Sequence, residues 1–397
     1  MPDLTSLSLA GEHVRDGKLL LTALASVSLA LLFLGWTSWS HQRNLQRIKI
    51  RIHVAGTRGK STTTRMIAAG LRASGLRVLA KATGSAPRLI MPDGQDRPWP
   101  RRGPASIREQ IKFFSLAAQL KVDAVVVECM AVRPELIAAS QSDLVQAHMT
   151  VITNTRPDHF EELGEEPDAM AKALAFALPK DGHVIMSDES AHEPFVGLAR
   201  SIAKHITIVT TDAHIALNAN GQITRAACAA LGATGAGVER AIDAAPHDPG
   251  FQFTSHLTIK DKQADFINAF ACNDVNSLRA LLNTNTHHHP HAVLINARGD
   301  RPLRSKAFLK FLASLDPSPK VFLAGDQWAQ RLAQKLGLQI KLLTADQLRD
   351  PHSALAAIMA DLPSQAQIWG IGNFQGFGEH LIAQITSVPH QQAPSSC

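Results

Sequence analysis

From Lys49 onward, short unbroken apolar runs alternate with stretches in which apolar residues recur every three or four positions. The runs predict strands over Ile50–Val54, Arg77–Ala80, Ala124–Val127, Met149–Thr153, His183–Met186 and Ile206–Val209. The periodic stretches predict helices over Lys60–Ser74, where Met66, Ile67, Gly70 and Leu71 share a face, and over Ser106–Leu120 and Asp168–Leu178. Strands alternating with helices point to a mostly parallel sheet covered by helices on both faces. A Pro/Asp/Gly cluster at Pro246–Gly250 interrupts the series. It then resumes as strands at Ala292–Ile295, Val321–Leu323 and Ile368–Ile371, with helices at Ser305–Leu315 and Trp328–Leu336. This second series predicts a smaller α/β domain, and the polar, proline-containing tail from Val388 is expected to be disordered. The expected organisation is 1–43, 44–250, 251–387 and 388–397.

The segment before Lys49 has a different pattern. Leu19–Trp36 is an uncharged, mostly apolar run of 18 residues. A bilayer core needs roughly 20 such residues, with about 17 as the lower limit. Trp36 and Trp39 stand where interfacial aromatics belong. The run is longer than a signal-peptide core and no small-x-small cleavage site follows it, so a retained transmembrane helix is expected. Arg43, Arg47, Lys49 and Arg51 follow the run, whereas only Arg15 and Lys18 precede it closely. Positive charge on the inner side then puts the body of the chain in the cytoplasm.

Composition changes this picture little. The chain of 397 residues is 45% hydrophobic, enough for two or three cores, and its formal net charge is +6. That balance suits an anionic substrate or an anionic membrane surface. No arginine-rich tract is interleaved with aromatics and tyrosine is absent, so nucleic acid is not the expected partner. The four cysteines, Cys129, Cys228, Cys272 and Cys397, have neither metal-ligand nor disulfide spacing and read as reduced thiols.

The candidate chemistry begins at HVAGTRGKSTT, residues 53–63, between the first predicted strand and the first predicted helix of the body. Backbone N–H groups of a glycine-rich turn, reinforced by the helix dipole, make an anion cradle. Gly56 and Gly59 would let the backbone approach phosphates, with Thr57, Arg58 and Thr62 in the same loop and helix start. Lys60 would reach the terminal phosphates and the Ser61 hydroxyl would bind Mg²⁺. The general phosphate loop has a glycine where this chain has Val54, so the spacing here is the shorter G-T-x-G-K-S.

This shorter loop resembles that of Mur ligases and folylpolyglutamate synthases, and further matches follow in the order of that superfamily. Val125-Val126-Val127-Glu128 resembles the strand that ends in its metal-binding Glu. Thr153-Asn154, Asp158-His159 and Gly164 resemble its T-N-x-x-x-D-H segment, whose His contacts a second metal ion. Ala171-Lys172 and Pro179–Gly182 echo the helix and turn that follow. Phe270-Ala271-Cys272-Asn273-Asp274 with Ser277 resembles the segment that opens its C-terminal domain. About a dozen residues separate the apolar run from the first strand, which leaves no room for the UDP-sugar domain of Mur ligases proper. An anchor, a phosphate loop and two domains together resemble the ligase subunit of bacterial poly-γ-glutamate synthases. The strings Asn296-x-Arg298-x-Asp300-Arg301-x-x-Arg304 and Gly370-x-Gly372-Asn373-x-x-Gly376-x-Gly378 agree with it.

The resemblance implies a fold with a transmembrane helix, a central phosphate-loop domain with a mostly parallel sheet and a smaller Rossmann-like C-terminal domain. It implies an ATP-dependent amide ligase that makes an acyl phosphate and joins glutamate to growing poly-γ-glutamate. It also implies Mg²⁺ held by Ser61, Glu128 and His159, nucleotide contacts from Asn273 and Asp274, and integral-membrane export subunits as partners. Arg298 and Arg301 would meet a carboxylate or phosphate, since the guanidinium fork is bidentate; a solvated basic face is their other reading. An amide ligase for a different amino acid and an export-coupled ATPase stay open as alternatives, and association into a homo-oligomer is left undecided.

Overall fold

The computed structural model describes residues 4–84, 87–101, 105–156, 163, 166, 168–211, 216–246, 253–270, 272, 275–284, 290–299 and 302–387. Two compact units emerge. One is Met1–Lys81 with Leu89–Ala244, and the other is Ala245–Cys397 with Ala82–Arg88.

The first unit opens with a single helix, α1 (Leu4–Gln46), followed by β1 (Ile50–Ala55) and α2 (Lys60–Ala73). The stretch Leu21–Gln46 is long and apolar enough to cross a membrane, and its upper part is exposed, with Leu32 72% and Trp36 61% accessible. Six strands run parallel in the spatial order β2 (Val78–Ala82), β5 (Ala124–Glu128), β1, β6 (Met149–Ile152), β7 (His183–Ser187) and β8 (His205–Val209). Two three-residue strands, β3 (Arg88–Ile90) and β4 (Asp96–Pro98), extend the sheet beyond β2. The hydrophobic pattern did not predict them, because Pro, Asp and Gly interrupt the apolar alternation there.

Strand parity distributes the side chains. Leu79, Val125 and Val127 pack with Phe113 and Phe114 of α3 (Glu109–Gln119), in a core that also takes in Leu45 and Ile48 from the end of α1 and the turn after it. Each fully buried Phe contributes about 2 kcal/mol of apolar transfer. Glu128 has the opposite parity from Val127 and therefore emerges on the α2 side of the sheet.

The second unit is a six-stranded sheet in the order β13 (Ile340–Leu342), β12 (Lys320–Gly325), β11 (Ala292–Ala297), β14 (Ala366–Gly372), β10 (Lys262–Asn268), β9 (Thr254–Ile259). All pairs are parallel except β9 with β10. Alternate residues feed two cores. Phe266 and Leu294 join Ile358 and Leu381 on one face, and Ile267 and Val293 join Phe308 and Leu312 on the other. Helices therefore cover both faces, as the alternation predicts. The hydrophobic pattern does not predict the antiparallel edge strand, because Leu257 and Ile259 are the only large apolar residues in Thr254–Ile259, as suits a half-solvated strand. The tail from Val388 and the cluster 247–250 lie outside the described residues.

Candidate active site

Strands β5, β1 and β6 are adjacent and parallel, so their carboxyl ends open at one edge of the sheet. The loop 56–59 leaves β1 there. Gly56 has φ of 126°, and a Cβ on it would lie 2.2 Å from Thr153 Oγ1 and 2.9 Å from the Asn154 carbonyl. Gly59 has φ of 77°, and a Cβ there would run into the Asn220 side chain at 2.6 Å. Gly56 is required by its positive φ and by backbone crowding at once, whereas Gly59 is required by its positive φ, since the Asn220 amide can turn aside.

Asn154 holds the loop from the neighbouring strand end. Its carbonyl accepts from Thr57 N at 3.1 Å, its side-chain oxygen accepts from the Thr57 hydroxyl and from Arg58 N, and its amide donates to Arg58 O at 3.1 Å. Thr153 N donates to Ala55 O at 2.9 Å. Lys60 opens α2, and its ammonium donates to Gly56 O at 2.7 Å and Thr57 O at 3.2 Å, so it lies along the loop. Ser61, one residue on, donates its hydroxyl to Glu128 Oε2 at 2.8 Å. Ser61 and Glu128 are 8% and 3% exposed.

A hydroxyl and a carboxylate at this separation form an oxygen pair suited to a hard divalent cation, which takes one or two protein oxygens and completes its shell with water and phosphate. Among the described residues, no three His, Cys, Asp or Glu side chains gather at metal-ligand spacing. Burial pushes the Cys129 thiol, next to Glu128, up to about 11. It is protonated at neutral pH and offers no thiolate nucleophile beside the loop.

Beneath this edge, on the α3 side of the sheet, lies a buried ion cluster that the hydrophobic pattern conceals. Lys81 in β2 is fully buried, and its ammonium donates to Glu109 Oε2 at 2.8 Å. Arg101 donates to the other carboxylate oxygen at 2.7 Å, and the Trp99 ring lies 5.1 Å from the Lys81 ammonium. Desolvation pulls the Lys81 pKa below its ordinary value against the pull of Glu109. Burial would raise the Glu109 carboxyl, yet the bonds from Arg101 and Lys81 outweigh it and hold the pKa below the usual range. Glu109→Ala would strand Lys81 in the interior. It is expected to cost about 3 to 5 kcal/mol in a denaturant-unfolding series, whereas replacing both Lys81 and Glu109 by Met should recover most of the loss. Equal losses in the two variants would contradict this account.

In the second unit, Asn296 of β11 donates to the carbonyls of Asn373 and Gln375 at 2.5 and 2.9 Å, and Asn373 donates back to Asn296 O at 3.2 Å. Arg298 follows β11 and donates to Gln375 Oε1 at 2.6 Å, while Arg304 reaches Asn373 Oδ1 at 3.4 Å. Arg298 is thus positioned by a side chain at the carboxyl edge of its own sheet, where sites form in open α/β folds. His159, Asn273, Asp274 and Arg301 lie outside the described residues. Asn220, packed against Gly59, and the Lys81–Glu109 pair were missed by sequence reasoning. Nothing in local pattern separates them from surface residues.

Residues 54–228 match the Mur ligase middle domain, and residues 254–388 match the poly-gamma-glutamate synthase CapB C-terminal domain. The chain joins a Mur ligase middle domain to a CapB-type C-terminal domain. The chain is 28% identical to PGA synthase CapB of Bacillus subtilis (strain 168) over 87% of its own length and 92% of the relative's. It is 27% identical to the Capsule biosynthesis protein CapB of Bacillus anthracis, covering 88% and 79% of the two chains. Its fold is similar to that of E. coli FolC in complex with ADP, with a TM-score of 0.66 at 20% identity over 89% of this chain and 93% of that one. The bifunctional folylpolyglutamate synthase/dihydrofolate synthase of Yersinia pestis, complexed with AMPPNP and Mn, aligns with a TM-score of 0.63 at 17% identity over 88% and 92%.

Proposed function

We propose that this protein is an ATP-dependent amide ligase that joins glutamate units through γ-amide bonds into poly-γ-glutamate. The observation that carries the reading is the Ser61–Glu128 pair beside a glycine loop clamped by Asn154, in a chain related along most of its length to the two CapB proteins. A carboxylate of the acceptor attacks the γ-phosphorus of ATP, ADP leaves, and an acyl phosphate forms. The amine of an incoming glutamate then displaces phosphate and closes the amide.

Transfer of this kind is chiefly positioning and charge neutralisation. The loop N–H groups cradle the phosphates, and Lys60 leaves the carbonyls of Gly56 and Thr57 for the terminal phosphate oxygens. Ser61 and Glu128 would hold Mg²⁺, with His159 as the ligand of a second ion, and the metal would neutralise charge on the phosphates. Arg298, oriented by Gln375, suits a carboxylate of the amino-acid substrate; Arg301 is assigned the same role from its place in the Arg298–Arg304 string. Asn273 and Asp274 are assigned to the nucleotide.

α1 anchors the enzyme, with its body on the cytoplasmic side where ATP is found. A polyanion cannot cross hydrocarbon along one helix, so export requires integral-membrane partners.

The purified full chain should release ADP only when ATP, glutamate and a glutamate-polymer acceptor are all supplied, with labelled glutamate entering the polymer. ADP release without acceptor and amine would replace the ligase by an export-type ATPase. On intact cells, added protease should leave the body uncut; cleavage from outside would reverse the orientation.

A further inference from the structure

We infer that the amino-terminal edge of the eight-stranded sheet is a docking surface for an anionic lipid leaflet, so that the catalytic unit lies on the membrane with its phosphate loop facing away from it. The inference rests on the reading of α1 as a membrane helix. It adds which face of the enzyme the bilayer meets.

Two independent observations carry it. The first is how α1 joins the unit. Its last turns are built into the core: His41 is 4% exposed, Leu45 1%, and Ile48 just beyond the helix 1%. His41 Nε2 bonds to Leu144 O at 2.9 Å. Arg51, the second residue of β1, donates through Nη1 to the carbonyls of Leu45 and Ile48 at 3.0 and 3.1 Å, and through Nε to Gln146 O at 2.9 Å. These bonds satisfy the carbonyls that a helix end leaves open and fasten α1 to the start of β1 and the approach to β6. From exposed Trp36 to buried His41 is one and a half turns, about 7.5 Å. No flexible linker separates the apolar span from the folded unit, so the unit rests against the headgroups at the edge where α1 enters.

The second observation is the charge of that edge. Of the six parallel strands, β2, β5, β1, β7 and β8 each have an exposed cation within the three residues before them: Arg77, Lys121, Lys49, Lys180 and Lys204. β6 is preceded by His148. Arg43 in the last turn of α1 and Arg47 just beyond it add to the same end. Acidic residues at the same end include Asp123, Asp143 and Asp181, with Asp123 engaged by Arg77 N at 2.9 Å, and Asp93, whose charge acts on Arg72 in the last turn of α2. Cations spread along one sheet edge, at the level where a membrane helix leaves the unit, meet anionic headgroups within a Debye length. The strands are five or six residues long, about 3.3 Å each, so the Ser61–Glu128 pair would stand ~17–20 Å further from the leaflet. Nascent polymer would then start on the distal side of the unit, and a partner must collect it there.

The test uses the full chain reconstituted in vesicles of phosphatidylcholine alone, or with about 30 mol% phosphatidylglycerol to give a negative surface potential. An uncharged acylating reagent reports the accessibility of Lys49, Lys121, Lys180 and Lys204 by mass spectrometry, with exposed Lys112 on α3 as the internal reference. On the anionic vesicles these four should react about tenfold more slowly relative to Lys112 than in detergent, and high salt should restore them. The variant Lys121→Glu/Lys180→Glu/Lys204→Glu should keep ATP turnover in detergent but lose the shielding of Lys49. Flotation after an alkaline wash reports α1 separately. Retention in the membrane with equal lysine reactivity in all lipids would overturn the docking face and leave the anchor standing. Loss from the membrane would overturn both. Shielding that appears only after an acidic protein partner is added would assign the edge to that partner and overturn the inference.

Discussion

Lys60→Ala is expected to abolish glutamate-dependent ADP formation, lowering it by at least about 10³-fold, because a charge neutralising the transferred phosphoryl group is lost from a pre-organised site. Lys60 is half-buried, and among the described residues its ammonium bonds to the carbonyls of Gly56 and Thr57. Truncating a half-buried side chain that lies along a loop leaves no core cavity, so the change in unfolding free energy should stay within about 1 kcal/mol. Lys60→Arg should be nearly as inactive, since the planar fork does not replace a compact ammonium at the end of a loop. The measurement is ADP release at saturating substrates beside the thermal unfolding midpoint. Substantial turnover by the alanine variant with an unchanged midpoint would remove the loop from the reaction.

Glu128→Ala is the second large effect. Glu128 is 3% exposed and accepts the Ser61 hydroxyl at 2.8 Å. A buried carboxylate without its cation is costly, so the variant should unfold no more easily than the parent protein in the absence of metal. The rate should fall about 10²–10³-fold, as when one transition-state-stabilising group is deleted. Ligand-induced stabilisation separates a metal role from a structural one. A nucleotide at a hundred times its Kd raises stability by about 2.7 kcal/mol, and the part of that rise that requires a divalent cation should vanish in Glu128→Ala. Ser61→Ala should weaken the same increment less, because it removes a neutral ligand. If Glu128→Ala keeps the full metal-dependent increment, Glu128 is not a ligand.

Among the site features, those made by neighbouring residues are legible in the sequence. A strand, a glycine turn, Lys-Ser and a helix are set by local dihedral freedom and helix-start chemistry, and the fold holds Gly56 and Gly59 at the positive φ values this demands. The cation at Arg298 is legible as a strand-end residue, but its fastening to Gln375, 77 positions on, is not. The Lys81–Glu109–Arg101 cluster resists reading for a related reason. A lysine in an apolar run gives no sign of whether it faces solvent or a carboxylate from another helix.

What the chain's own pattern decides is the kind of element at each place: the apolar helix at the start, the alternation of strand and helix, the break before the second unit, and the glycine-rich loop between β1 and α2. Each follows from side-chain periodicity, turn chemistry or composition over a few residues. What only the tertiary structure decides is who stands next to whom. The sheet places β5 between β2 and β1 although two strands and a helix intervene in sequence between β2 and β5. That order, together with the parity of β5, carries Glu128 to Ser61 across 67 positions. It also gathers the starts of six parallel strands into one edge beside the end of α1. Strand order is set by the packing of whole faces and by helices crossing over the sheet, an energy spread over many distant contacts, and no short stretch of sequence contains it.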